Sequence, residues 1–275
     1  MAVYQVNEWL KHATGLLDAS DVASARLDAL ILLEDALKSD RAYLLAHPEC
    51  TVQGSTLYQL EQRLQRRAKH EPLAYIRGKC EFFGREFVVT KDTLQPRSET
   101  EAMIALLKGA KLPKYPVIAD IGTGTGALAI TAKLEIPSAD VYAVDIHQKA
   151  LDIARKNAAN LGADIHFYKG NLLSPLPTTI NQLPLTVILA NLPYVPDSYA
   201  INRAAQHEPK LAIFGGHDGL DCYREMFAQI QEFDTLPRYV LTESLTSQHK
   251  LLHDIATQAG YKLQITDDLI QLFVN

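Results

Sequence analysis

The stretch Asp120-Ile121-Gly122-Thr123-Gly124-Thr125-Gly126-Ala127 is a glycine-rich turn behind an apolar run. Glycines permit positive φ and let main chain approach a ligand closely, and a helix that starts there offers unpaired N–H groups. No Gly-Lys-Ser/Thr follows, which excludes a phosphate-gripping P-loop. Gly122, Gly124 and Ala127 satisfy the loose G-x-G-x-x-G/A dinucleotide pattern, and Gly122, Gly124 and Gly126 satisfy the G-x-G-x-G pattern of S-adenosylmethionine sites. The loop alone leaves both open. Asp145, 23 positions after Gly122, is placed to accept both hydroxyls of an adenosine ribose. With Gln148 it also makes a capping box for the next helix. In Gly170-Asn171-Leu172, Asn171 can hydrogen-bond an adenine amino group while Leu172 covers the ring, or Asn171 is an ordinary turn residue.

Asn191-Leu192-Pro193-Tyr194 follows a second buried apolar run. The Asn191 side-chain oxygen and the Leu192 main-chain oxygen can each accept one hydrogen of an –NH₂ group, and Tyr194 can stack on the flat group or wall the pocket. Leu192 precedes Pro193 and is therefore pushed to extended geometry, which helps aim its carbonyl. The pair suits a planar nitrogen conjugated to a carbonyl or ring. Such a nitrogen is a poor nucleophile, and its delocalisation shows in the ~18–20 kcal/mol barrier to amide rotation. Two acceptors that hold the N–H bonds favour a pyramidal nitrogen aimed at an electrophile. Held at ~3–3.5 Å from a methyl sulfonium, that nitrogen is spared ~7–11 kcal/mol of barrier. Hydride transfer has no use for such acceptors, so the expected cofactor is S-adenosyl-L-methionine rather than NAD.

These residues need a scaffold that brings them together. After Pro116 strand candidates Val117–Ile121, Val141–Asp145, Ile165–Tyr168, Leu185–Ala190 and Tyr239–Thr242 alternate with helical stretches near Ala127–Leu134, Gln148–Asn160, Leu220–Phe233 and Ser247–Ala259. Lys262–Thr266 and Ile270–Val274 add a terminal antiparallel hairpin around Asp267-Asp268. The expected fold is α/β: a class I S-adenosylmethionine-dependent methyltransferase, Rossmann-like, with a mostly parallel seven-stranded sheet. Its first and fourth strands are neighbours at the switch point, so the glycine loop and Asn191–Tyr194 face one crevice. Upstream, apolar positions recur at helical spacing from Val3 to Arg67 without a β-rich run. The expected division is a helical bundle over 1–73, a β-hairpin linker over 74–96 with Phe82, Phe83 and Phe87, and a catalytic domain over 97–275 opened by a Ser98/Glu101 capping box.

Composition narrows the class. The chain is 47% hydrophobic and 21% charged, as ordinary globular proteins are. A net charge of −5 argues against direct nucleic-acid binding, and the mild basic patch of Arg63, Arg66, Arg67, Lys69, Arg77 and Lys79 reads first as a solvated helix face. Cys50, Cys80 and Cys222 form no C-x-x-C pair and the histidines show no ligand spacing, so neither a disulfide framework nor a metal site is expected, and a cytoplasmic setting is. No apolar run approaches a membrane span.

Beyond these readings, the sequence resembles the HemK/PrmC family, the release-factor glutamine N5-methyltransferases of bacteria. The resemblance covers nearly the whole chain: the helical bundle, Pro72–Gly78, Leu94-Gln95-Pro96-Arg97-Ser98-Glu99-Thr100-Glu101, the glycine loop, Asp145, Asn191–Tyr194, and Glu208-Pro209-Lys210-Leu211-Ala212-Ile213-Phe214-Gly215-Gly216-His217-Asp218-Gly219-Leu220-Asp221. It implies that Gly122, Thr123, Gly124, Thr125 and Gly126 carry the methionine end of the cofactor, Asp145 the ribose, and Asn171 and Leu172 the adenine. Asn191, Leu192, Pro193 and Tyr194 are implied to hold the glutamine amide of the Gly-Gly-Gln loop of peptide chain release factors, and the bundle to help dock them. Three departures stand out. Leu192 replaces a proline and adds an N–H that needs a partner; Ser98 replaces another proline; and Glu243-Ser244-Leu245-Thr246-Ser247-Gln248 lacks the glycine of the family's E-[IV]-G-x-x-Q, which bears on the loop shape there. The alternative with the same crevice chemistry is an adenine N6-methyltransferase acting on rRNA or DNA, and the non-enzyme alternative is a cofactor-binding regulator.

Overall fold

The computed structural model describes residues 3–176 and 185–275. The chain forms two compact units: residues up to Gly78 together with Ile201–His207, and Lys79–Ala200 together with Glu208–Asn275. The expected boundary at residue 73 therefore lies one short helix early, and the return of Ile201–His207 to the first unit carries no signal in residue type or spacing.

The first unit contains β1 (Val3–Gln5), α1 (Val6–Ala19), α2 (Ala25–Leu37), α3 (Arg41–Ala46), β2 (Thr51–Gln53), α4 (Gly54–Ala68) and α5 (Leu73–Arg77). Val6, Trp9, Leu10, Ala13 and Leu17 form the buried stripe of α1. They pack with Leu32, Leu33, Leu60 and Leu64 in one core. β1 pairs antiparallel with β2, which corrects the all-helical reading of this region. The correction is a tertiary effect: Val6 and Asn7, at the start of α1, send their N–H groups to the carbonyls of Cys50 and Pro48, which ties the two short segments together. The basic patch is largely neutralised. Arg66 pairs with Glu71 at 2.5 Å, Arg67 with Asp28 at 2.7 Å, Arg77 with Asp35 at 2.7 Å and Lys79 with Glu86 at 2.6 Å.

The second unit opens with the hairpin β3 (Lys79–Phe82) and β4 (Arg85–Val88), turned by Phe83 and Gly84 at φ 51° and 70°. It continues with α6 (Glu101–Gly109), β5 (Val117–Ile121), α7 (Ala127–Glu135), β6 (Asp140–Asp145), α8 (Gln148–Leu161), β7 (His166–Lys169), β8 (Val187–Ala190), α9 (Asp221–Gln231), β9 (Tyr239–Glu243), α10 (His249–Gln258), β10 (Lys262–Asp267) and β11 (Ile270–Val274). The sheet order is β10-β11-β9-β8-β5-β6-β7. β7, β6, β5, β8 and β9 run parallel, and β11 and β10 close the sheet antiparallel. β5 and β8 are buried along their whole length, as strands covered on both faces must be. The switch point falls between them, so the loops after β5, β6 and β8 open on one side.

The Ser98/Glu101 capping box does not form. The residue preceding α6 is Thr100, the Ser98 hydroxyl turns to Glu99, and Glu101 Oε1 instead accepts the Phe83 N–H at 2.7 Å. A buried side chain performs the larger act of fastening. Asn157 of α8 accepts the Val88 N–H at 2.7 Å and donates to the carbonyls of Val88 at 3.0 Å and Thr125 at 2.9 Å. One carboxamide thus joins the hairpin, α8 and the glycine loop. Asn157→Ala leaves these groups unpaired in the interior and is expected to lower stability by about 2–4 kcal/mol, read as the shift in urea midpoint at constant slope.

Candidate active site

The glycine loop begins where β5 ends. Gly122 and Thr123 both donate to the Val144 carbonyl at 2.9 Å, which turns the chain out of the sheet. Gly122, Gly124 and Gly126 all have positive φ, at 74°, 55° and 81°. A Cβ on Gly124 meets only the Gly122 carbonyl oxygen, at 3.9 Å, so glycine is required there for its backbone and not for packing. Gly122 and Gly124 line a cavity of about 370 Å³. Thr123, Thr125 and Gly126 do not line it. The Thr123 hydroxyl donates to Asp120 Oδ2 at 2.6 Å, the Thr125 carbonyl is held by Asn157, and Gly126 starts α7.

Asp120 is buried, and burial pushes its carboxyl up to about 7, against the pull of the Thr123 hydroxyl and the Ala129 N–H. The Asp145 charge nearby pushes in the same direction as burial. Asp145 lines the cavity at the end of β6. It does not form the capping box with Gln148. Its Oδ2 accepts the Gly124 N–H at 2.9 Å and its Oδ1 the His147 N–H at 2.8 Å, while Gln148 bonds Asp152. Burial raises its pKa and these two N–H groups oppose the rise. Asn171 and Leu172 also line the cavity. The Asn171 amide nitrogen bonds Glu225, so the end of its carboxamide not engaged there is the oxygen. Leu172 takes φ 51° and buries its side chain.

Asn191, Leu192 and Pro193 line the same cavity from the β8 side. Leu192 lies 3.0 Å from the position of a Cβ on Gly122, so the two loops touch. The N–H that Leu192 adds finds its partner in the buried Tyr223 hydroxyl at 3.2 Å. Asn191 Nδ2 donates to Thr100 Oγ1 at 3.1 Å, Thr100 donates to Glu243 Oε2 at 2.6 Å, and Tyr194 donates to Glu243 Oε1 at 3.0 Å. Tyr194 thus turns its hydroxyl to Glu243 instead of walling the cavity, and burial beside that carboxylate raises its pKa. Burial likewise raises Glu243, opposed by the Thr100 and Tyr194 hydrogen bonds.

The Asn191–Tyr194 backbone is clamped by residues the site chemistry did not single out. A Cβ on Gly215 would fall 2.2 Å from the Pro193 carbonyl oxygen, and one on Gly219 2.1 Å from that of Tyr194. Gln248 donates to the Tyr194 and Asp218 carbonyls, each at 2.7 Å, and accepts the Leu245 N–H at 2.9 Å. Leu245 stands where the resemblance places a glycine, and its φ of −62° suits any residue. The remaining cavity wall includes Thr93, Leu94, Ile146 and Lys210, of which only the segments Leu94–Glu101 and Glu208–Asp221 carried a sequence signal.

A sheet in this order, a glycine loop after β5 and an acid ending β6 over one cavity define a class I S-adenosylmethionine-dependent methyltransferase. The fold matches a methyltransferase from Pyrococcus furiosus with a TM-score of 0.53 at 15% identity, over 78% of this chain and 98% of that one. It also matches the 16S rRNA N2 G1207 methyltransferase of T. thermophilus, solved with AdoMet and guanosine, with a TM-score of 0.50 at 13% identity, over 72% and 49%. Residues 118–207 match the methyltransferase domain family and residues 8–78 the PrmC N-terminal domain family. The release factor glutamine methyltransferase of Koribacter versatilis is 38% identical over 81% of this chain and 79% of its own length, and that of Vibrio cholerae 33% identical over 94% and 90%. The chain belongs to the release factor glutamine methyltransferase family.

Asp120 gives the loop a measurable pH signature. Its folded pKa of about 7 lies above the ordinary 3.8, so between these values the folded chain holds a proton that the unfolded chain has lost. Its contribution to stability is present at low pH and is lost as pH rises through about 7. Asp120→Asn keeps an oxygen acceptor and lacks this proton. Urea midpoints at pH 5 and pH 8 are expected to show a wild-type advantage that shrinks at the higher pH; a difference independent of pH contradicts the assignment.

Proposed function

We propose that this chain transfers the methyl group of S-adenosyl-L-methionine to the side-chain amide nitrogen, N5, of the glutamine in the Gly-Gly-Gln motif of peptide chain release factors. The observation that carries the reading is the Asn191 carboxamide. Its nitrogen is engaged by Thr100, which leaves the oxygen as the end available to the cavity that Asn191 and Leu192 line. When bound, S-adenosyl-L-methionine supplies an electrophilic methyl on a sulfonium. The positive-φ glycines fit a ligand drawn close to main chain, Asp145 has the acceptor chemistry for ribose hydroxyls, and Asn171 and Leu172 suit an adenine edge and face.

In this reading Asn191 Oδ1 and the Leu192 carbonyl accept the two N–H bonds of the glutamine amide and orient its nitrogen, and Pro193 holds the Leu192 carbonyl in an extended segment. Tyr194 secures the segment through Glu243. The helical unit helps dock the release factor. The names of the relatives support this substrate, and the acidic net charge and ion-paired basic patch weigh against an adenine in rRNA or DNA. Cytoplasmic residence fits three free cysteines, and among the described residues no helix is long and apolar enough to cross a membrane.

Incubation with labelled donor and either release factor or RNA, followed by mass spectrometry, is expected to place the label on the release-factor glutamine; label on RNA alone overturns the reading. Asn191→Ala is expected to lower turnover by about 10²-fold or more while cofactor affinity stays within a few-fold. Asp145→Ala is expected to weaken the cofactor by about tenfold or more in calorimetry, as loss of hydrogen bonds from a charged acceptor does.

A further inference from the structure

Behind the cavity lies a buried cluster whose chemistry the transfer itself leaves unused. Thr100 precedes α6 and Glu243 ends β9, with relative exposures of 4% and 1%. The Glu243 carboxyl takes a hydroxyl donor on each of its oxygens, and a threonine hydroxyl has a single proton to give. Thr100 gives that proton to Glu243 Oε2 at 2.6 Å. Toward Asn191 it can then act only as an acceptor, and it takes the Nδ2 hydrogen at 3.1 Å. Tyr194 donates to the other carboxylate oxygen at 3.0 Å. Asn191 thus donates to Thr100, and Thr100 and Tyr194 donate to Glu243. The polarity of the chain is fixed from Glu243 outward, and it ends by setting which face of the Asn191 amide is left for a ligand.

We propose that Thr100 and Glu243 are positioning residues that hold Asn191 with its oxygen toward the cavity, and that they thereby select an –NH₂ acceptor over its carboxylate isostere. This rests on the functional reading above. An Asn191 turned the other way presents two N–H donors, which match the carboxylate of glutamate and oppose the amide hydrogens of glutamine. The two side chains have the same shape, so only the direction of hydrogen bonding can separate them. A site committed to one direction rejects the other because a buried polar group is left facing its own kind.

The test uses the full-length chain with S-adenosyl-L-methionine and release factor. Thr100→Val keeps the shape and removes the hydroxyl; Thr100→Ser keeps the hydroxyl. Thr100→Val is expected to retain cofactor affinity within about threefold, to lower kcat by about 10²-fold with a smaller change in KM, and to narrow the affinity difference between release factor and a release factor carrying glutamate for the glutamine. Thr100→Ser is expected to restore kcat to within about fivefold of wild type. Thr100→Val turnover within threefold of wild type, or Thr100→Ser as impaired as Thr100→Val at equal thermal midpoint, overturns the proposal. If Thr100→Val does not fold, the Asn191 side-chain NH₂ signals of the wild type decide. Slow hydrogen exchange supports the fixed orientation, and exchange at the rate of an exposed asparagine overturns it. A wild type that methylates no release factor overturns the functional reading, and the exchange measurement still judges the orientation by itself.

Discussion

The second unit is arranged around a carboxylate that has lost its water. Glu243 ends β9 almost wholly buried, and a carboxyl in that position needs donors in place of its hydration. Two donors do so, and they come from places far apart in sequence, Thr100 before α6 and Tyr194 after β8, with Asn191 joined to them through Thr100. The backbone carbonyl of Glu243 receives the Tyr223 hydroxyl from α9 at 2.5 Å. One desolvated residue thus ties the helix that enters the sheet, the segment that leaves its fourth parallel strand and the helix that packs on it. Removing a donor leaves a polar group unpaired in the interior.

A second constraint is steric and complements the first. The segment from Asn191 to Tyr194 has no regular secondary structure to hold it. It is fixed instead by close backbone crossings at Gly215 and Gly219, where a methyl group would fall almost onto a carbonyl oxygen. Val195 donates to Ile213 and Gly215 to Val195, each at 3.0 Å, and Gln248 stitches the Tyr194 carbonyl to that of Asp218. Glycines at such crossings are a packing requirement, in contrast to Gly124, where the space is open and the positive φ is what matters. Rigid crossings of this kind let a loop hold polar atoms in place as a strand would.

The sheet was legible in the sequence because its signals are local and repeated. Val117–Ile121 and Ile270–Val274 have the same limits in both, and the other strands shift by a residue or two. The glycine loop, Asp145, Asn171, Leu172 and Asn191–Pro193 could be brought to one crevice because the strand order of a doubly wound sheet follows from handedness and connection length. What escaped depends on partners distant in sequence. The capping boxes at Ser98/Glu101 and Asp145/Gln148 match a local pattern, but Phe83 claims the first acid and Gly124 the second. β1 and β2 are three-residue strands that exist only through each other. Thr100 and Glu243 lie in segments compared with the family's motifs, yet only the fold makes Thr100 a neighbour of both Asn191 and Glu243.

Leu192 shows how a departure from the family pattern is absorbed. Proline at this position has no N–H, whereas leucine introduces one in a place shut off from solvent, at 3% exposure. An unpaired N–H there costs about 1–3 kcal/mol. The Tyr223 hydroxyl removes that cost, and it can do so because its own proton is directed to the main-chain carbonyls of Ala190 and Glu243. The leucine side chain meanwhile reaches Gly122 and extends the core between the loops after β5 and β8. The rigidity of a second proline is thus exchanged for one hydrogen bond and a packing contact between the two walls of the cavity. Pro193 disfavours the helical region for residue 192 whichever residue stands there, so its carbonyl is under the same backbone constraint with leucine as with proline.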